Sequence, residues 1–165
     1  LRGWDVSGGA AHHDVTFGDM HVRNVATNLR DWGGGTENNA NSIFVFEIAD
    51  LCIAHLGHLH HTLTQQQLNE IGRVDVVMVP VDGSYTMDQD AMVETLQVVK
   101  ARLILPMHYF GQPTLSRFLA RLGEAFEVEL RRKDGTLDDR NLQTPNLKQI
   151  PSQENSNKQT SWFAI

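Results

Sequence analysis

The chain is short of cysteine: Cys52 is the only one. A disulfide framework within the chain is therefore excluded. Lying in an apolar, strand-like run, Cys52 reads as a buried small hydrophobe and fits a reducing, cytoplasmic setting. Long apolar runs are missing too. The longest are of strand length, so no segment is expected to span a bilayer and no membrane partner is expected. The opening residues carry no signal-peptide pattern. Positive charge is in deficit, with 14 Lys and Arg against 20 Asp and Glu and a formal charge of −6. No basic patch and no Lys/Arg stripe interleaved with aromatics is present, so nucleic acid is not an expected partner.

What is present suffices for one domain with a core: 165 residues, 41% of them hydrophobic. The chain starts with Leu1 rather than Met, in Leu1-Arg2-Gly3-Trp4-Asp5-Val6, which reads as a strand already under way. It is expected to be a fragment, with an exposed apolar sheet face. Residues 1–133 form the expected partial domain. Residues 134–165 are polar, rich in Asn, Gln, Ser and Lys, and read as a poorly ordered tail, although Trp162 to Ile165 could dock on the domain.

Glycine and periodicity divide the body of the chain. Short β-like pieces run over Val15 to Phe17 and His21 to Ala26, and Trp32 to Asn39 is a Gly-rich loop. Asn41 to Ile48 and Leu51 to Leu56 form a predicted hairpin across Ala49-Asp50, with Ile43-Phe44-Val45-Phe46 buried on both faces. Thr64-Gln65-Gln66-Gln67 has capping-box spacing and opens a short helix to Ile71. Val74 to Val81 is a buried strand. Thr86-Met87-Asp88-Gln89 repeats the capping-box signal before a helix with Met92, Leu96 and Val99 on one face. Ala101 to Leu105 is a strand that stops at Pro106. Thr114 to Gly123 is a helix with Leu115, Phe118, Leu119 and Leu122 inward, and Phe126 to Leu130 closes as a last strand. Alternation of this kind predicts a layered α/β domain.

Four of the eight histidines crowd into Ala54-His55-Leu56-Gly57-His58-Leu59-His60-His61-Thr62, directly after the hairpin. Imidazole is the commonest protein ligand for zinc and its neighbours. Strand C-termini are where α/β sheets place their sites, so the cluster is either a metal-site corner or a solvated His-rich turn. A second strand end carries a lone histidine, in Pro106-Met107-His108-Tyr109, and its strand would point at the same crevice. Between the two, Val79-Pro80-Val81-Asp82-Gly83-Ser84-Tyr85-Thr86 is a loop able to line that crevice.

These three motifs, in this order and on these elements, resemble the C-terminal half of a metallo-β-lactamase-fold hydrolase, in the ascorbate-phosphate lactonase-like branch. There the hairpin ends in a His-Leu-Gly-Asp-Leu-Gly-His-like turn, where this chain has His55-Leu56-Gly57-His58-Leu59-His60-His61. The next strand ends Val-Pro-Val-Gly-Gly and leads to Tyr-Thr-Met, against Val79 to Met87 here. The last ends Pro-Met-His-Tyr, against Pro106 to Tyr109. The resemblance covers residues 41–130. It implies half of an αββα sandwich and a metal-dependent hydrolase. Its metal lowers the pKa of a bound water, which attacks an ester, lactone, amide or phosphodiester. The implied cofactor is one or two ions of zinc, or another divalent metal such as manganese or iron, and the implied partner is a small-molecule substrate.

Under the resemblance the metal residues are His108, His58 and His61, the last as ligand or supporter. The family's His-x-His-x-Asp-His motif is absent. His58-Leu59-His60 only echoes it, because Leu63 stands where the final His would fall. His58 stands where the family has a bridging aspartate. A neutral imidazole offers one lone pair and cannot bridge two cations, so His58 favours a single metal or an altered second site. A further family histidine after the strand at His21 to Ala26 has no counterpart, and Asn28, Asp31 or His13 could stand near that position. His55, His60 and His21 are expected to be structural or solvent-facing, and Tyr85 and Tyr109 to serve packing. Two rival readings stay open: a non-catalytic binding or scaffold member with a degraded metal site, and a small α/β domain with surface histidines.

Overall fold

The computed structural model describes residues 3, 9–131 and 159–164. The chain order is β1 (Asp14–Phe17), β2 (Met20–Arg30), β3 (Thr36–Ile48), β4 (Leu51–His55), α1 (Gln65–Ile71), β5 (Val76–Pro80), α2 (Gln89–Val99), β6 (Leu103–Met107), α3 (Gln112–Ala125), β7 (Phe126–Arg131) and β8 (Gln159–Ala164). The strands form one mixed sheet in the order β1-β2-β3-β4-β5-β6-β8-β7. It is the α/β domain that the alternation predicts.

The first four strands are antiparallel neighbours, as short turns require. Ala49 and Asp50 close the β3–β4 hairpin with φ of 49° and 62°, the left-handed pair that suits the twist of a two-residue hairpin. β4, β5 and β6 then run parallel, with α1 and α2 as their crossovers. Their C-terminal ends lie side by side.

The sheet's two faces differ. Ile43, Val45, Ala54, Val77 and Ile104 join Ile71, Met92, Leu96, Leu115, Phe118 and Leu122 of the helices in one buried core. Phe44 and Phe46, expected to be as buried as their neighbours, point the other way and are half-buried. So are Ile53, the cross-strand partner of Phe46, and Val76, Met78, Leu103 and Leu105, which continue the same rows across β5 and β6. That second face is apolar and only partly covered, not fully exposed.

Several boundaries depart from the sequence pattern. β3 begins at Thr36, inside the expected Gly-rich loop, because Thr36 and Glu37 pair with Arg30 and Leu29 of a longer β2. β6 runs through Pro106 to Met107. Leu103 and Met107 hydrogen-bond toward β5, so Pro106 turns its missing N–H toward the β8 side, beyond the Ile104–Phe163 pair where that ladder ends. The α2 cap is Asp88, which accepts from the N–H groups of Asp90 and Ala91, and not Thr86, whose hydroxyl is used elsewhere. The α1 capping box forms as predicted, with Thr64 and Gln67 bonded reciprocally. β7 is not the last strand. The bulk of the polar tract, 132–158, lies outside the described residues, but 159–164 forms β8, parallel to both β6 and β7 and placed between them. Cys52 is half-buried, with an Arg73 N–H 3.6 Å from its sulfur, and forms no disulfide. Among the described residues no helix is long and apolar enough to cross a membrane.

One surface histidine is structural. His21 lies with Nε2 2.7 Å from Asp14 Oδ1 and Nδ1 3.1 Å from Glu47 Oε2. Two acceptors favour the imidazolium, and hydrogen bonds to Asp14 and then Glu47 raise its pKa above 6.5. Because the folded value exceeds the unfolded one, the pair's stabilisation is full below 6.5 and is lost as pH rises through the raised folded value. The same contacts lower the Asp14 and Glu47 values, so their contribution fades only in acid. The melting-temperature difference between wild type and His21→Gln should therefore shrink between about pH 5.5 and about pH 8.5. A difference that does not change over that range would refute the assignment.

Candidate metal site at the ends of three parallel strands

Three loops leave the C-terminal ends of β4, β5 and β6, and each delivers one polar side chain: His58, Asp82 and His108. The His58 and His108 rings meet edge to face, 4.4 Å between centroids with an interplanar angle of 77°. Asp82 Oδ2 lies 3.0 Å from His108 Nδ1. Fifty residues of sequence separation are closed by parallel strand register alone.

Each loop is held by buried groups. Leu56 and Leu59 flank His58 with side chains fully removed from water. Gly57 between them has φ +60°, and a Cβ there would collide with Asn41 Oδ1, so the turn admits glycine. Asn41, itself buried, donates from Nδ2 to the Leu56 carbonyl (3.2 Å) and the Thr27 hydroxyl (2.6 Å). Its Oδ1 accepts the His58 N–H at 2.9 Å. A β3 side chain thereby sets where the His58 loop leaves the sheet.

His108 adopts φ +53°, a left-handed conformation that a non-glycine residue holds only when its surroundings impose it. His58 is exposed as a residue, yet partial desolvation of its ring, with the charge His108 can carry, lowers its pKa. The ring is therefore neutral near pH 7 and keeps a lone pair, the form that ligates a metal.

Asp82 is the residue the sequence pattern undervalued. Its carboxylate is fully buried. Burial alone would raise its pKa. The Thr86 hydroxyl and the backbone N–H groups of Ser84, Tyr85 and Thr86 outweigh that and hold the group well below the usual carboxylate range. The signal in the sequence was Asp-Gly-Ser after a buried strand, the pattern of an Asx turn.

The structure does not bring His61 to this pair. Its Nε2 accepts the Asn28 N–H at 3.1 Å and its Nδ1 faces the Thr62 carbonyl at 2.8 Å, so both ring nitrogens are engaged. It stacks edge-on with His60, which is not solvent-facing but half-buried against the Asn28 carbonyl. His55 accepts from the Gly57 N–H and is structural, as expected. The positions that could have supplied a further ligand are also committed. Asn28 Oδ1 accepts the Asn39 N–H, Asp31 closes its turn onto Gly33 and Gly35, and His13 stacks on Phe44. Tyr109 packs on the core, whereas Tyr85 is exposed and meets Phe110 edge to face at 5.6 Å beside His108. Among the described residues no three His, Cys, Asp or Glu side chains are grouped to hold an ion. Two imidazoles with one preset by a carboxylate fit part of a metal's shell, and the remaining ligands would come from outside these residues.

Residues 4–108 match the model of the beta-lactamase superfamily domain. A metal-dependent hydrolase of Carboxydothermus hydrogenoformans is 30% identical over 73 residues, 44% of this chain and 32% of that protein. Another, from Thermoplasma volcanium, is 33% identical over 57 residues, 34% of this chain and 26% of that protein. The chain thus spans about a third of the length of the curated relatives it matches. Among solved structures, a candidate zinc-dependent hydrolase of the metallo-β-lactamase superfamily from Thermotoga maritima superposes with a TM-score of 0.60 at 24% identity. That match covers 93% of this chain and 69% of that one. The Bacillus subtilis metallo-β-lactamase fold protein YhfI gives 0.50 at 11% identity, over 67% of this chain and 45% of that one.

Proposed function

The chain belongs to the beta-lactamase superfamily domain family, and from that premise we propose that it contributes two metal ligands, His58 and His108, to a metal-dependent hydrolase. The observation that carries the reading is the meeting of those two rings at 4.4 Å over the ends of parallel strands. When bound, a divalent ion acidifies a water and polarises the scissile group. The chain's own residues do the rest. Asn41 aims the His58 loop, and Asp82 holds His108. Tyr85 and Phe110 offer an exposed aromatic edge beside the pair, suited to the apolar part of a small ester, lactone, amide or phosphodiester. Zinc is the favoured ion, with manganese or iron as substitutes. Because His58 offers one lone pair, a single ion is expected. A lone cysteine without a disulfide supports a reducing, cytoplasmic setting, and neither membrane nor nucleic acid is a proposed partner.

A second reading rests on one observation, that no three ligand side chains are grouped among the described residues. It makes the protein a non-catalytic binding or scaffold member of the family. Elemental analysis and hydrolase assays on the purified full protein separate the two. The enzyme reading expects about one divalent ion per protein, hydrolysis of a lactone or phosphodiester, and a fall in metal content and activity of roughly 10-fold or more in His58→Ala and in His108→Ala. Protein free of metal and inert toward lactones and phosphodiesters would overturn the enzyme reading.

A further inference from the structure

We propose that Asp82 is the positioning residue of this site: it fixes the tautomer and orientation of His108 so that Nε2 carries the lone pair offered to the metal. The inference rests on the metal reading above and extends it to a residue that would act through His108.

The geometry divides the carboxylate's two oxygens between two tasks. Oδ1 organises the loop, accepting from the N–H groups of Ser84 (2.8 Å), Tyr85 and Thr86 (3.3 Å), with the Ser84 hydroxyl at 3.2 Å. Oδ2 faces the site, accepting the Thr86 hydroxyl at 2.6 Å and meeting His108 Nδ1 at 3.0 Å. An ionised carboxylate is acceptor-only, so the proton between it and the ring belongs to Nδ1, and in the neutral ring the lone pair lies on Nε2. Histidine ligands commonly donate their second N–H to a carboxylate in this way, which sets ring orientation and raises basicity.

The influence extends to the second ring. Thr86, tied to Asp82 through both N–H and hydroxyl, is followed by Met87, whose N–H donates to the Leu59 carbonyl at 3.0 Å. Leu59 is the residue after His58. One buried carboxylate thus organises the two loops on which the imidazoles meet.

Asp82→Asn separates positioning from mere support. An amide oxygen still accepts from the loop N–H groups, but its nitrogen can only donate. His108 Nδ1 must then become the acceptor, and the proton moves to Nε2. Ring-nitrogen NMR of the full protein, metal-free and at a pH where the rings are neutral, reads this directly. The expected result is Nδ1–H for His108 in wild type and Nε2–H in Asp82→Asn, with zinc affinity falling roughly 10- to 100-fold. Thr86→Val removes a donor to the same oxygen while leaving the His108 pair, and should keep the wild-type tautomer and lose less than about 3-fold in zinc affinity. An Nε2–H tautomer in wild type, or equal zinc affinity in wild type and Asp82→Asn, overturns the proposal. Should Asp82→Asn not fold, the wild-type tautomer decides. Zinc that moves neither the His58 nor the His108 resonances of wild type overturns the metal reading, and with it the role given to Asp82. The tautomer would still record the pairing itself.

Discussion

Asn41→Ala is expected to lower stability by about 3 kcal/mol, because it removes three hydrogen bonds of one buried side chain together. Asn41 is 7% exposed, and its Nδ2 donates to the Leu56 carbonyl and the Thr27 hydroxyl, residues 0% and 1% exposed. Truncation takes one donor from each, although the Leu56 carbonyl keeps the Leu59 N–H at 3.3 Å and the Thr27 hydroxyl keeps the Asn41 main-chain carbonyl at 3.5 Å. Each lost bond is worth about 0.5–1.5 kcal/mol net, and three lost at one buried side chain add to about 3 kcal/mol. The third lost bond, from the His58 N–H to Oδ1, is the one that matters for function. Denaturant melts should show the stability loss. Amide exchange at His58 should rise more than at Val77 in the middle of β5. A loss under about 1 kcal/mol, or exchange at His58 that matches wild type, would show that the loop is held by other means.

Phe118→Ala should cost about 3–5 kcal/mol, as expected for removing a large buried aromatic. The side chain is 0% exposed and lies with Leu115 and Leu122 on the inward face of α3. Three and four residues apart, they form one apolar stripe that closes the core over the sheet. Leu119 sits at the edge of that stripe, only partly buried, and Leu119→Ala should cost about 1 kcal/mol, in keeping with partial burial. Urea unfolding of the two variants, with unchanged dependence on denaturant, checks the ranking. Equal losses would mean that α3 is rotated from the orientation described.

How much of this was legible in the sequence varies with the range of the interaction. The α1 cap was legible because Thr64 and Gln67 satisfy each other within one turn. The β3–β4 hairpin was legible because its two runs are joined by two residues. The α2 cap was misplaced for a long-range reason: Thr86 is a good N-cap residue, but its hydroxyl is taken by Asp82, leaving Asp88 to cap the helix. Pro106 read as a strand stop because its neighbours were unknown. Only the short overlap with β8 makes a proline acceptable there.

The candidate site divides in the same way. Strand-end histidines at 58 and 108 could be named from buried runs that stop at a Gly or Pro. Their convergence could be expected from strand direction. His61 could not be judged, because its fate depends on the Asn28 N–H, 33 residues away, which occupies its Nε2.

By itself, then, the sequence determined the order of elements, the apolar stripes, and the two strand ends that carry imidazoles. These follow from periodicity and from side chains that act within a turn or two. Only the tertiary structure decided that His61 is engaged elsewhere, that Asp82 and Asn41 stand behind the expected His58–His108 pair, and that residues 159–164 return as a strand between β6 and β7. Those outcomes depend on hydrogen bonds between groups far apart in the chain. A donor or acceptor has no preferred partner until burial removes water as the alternative.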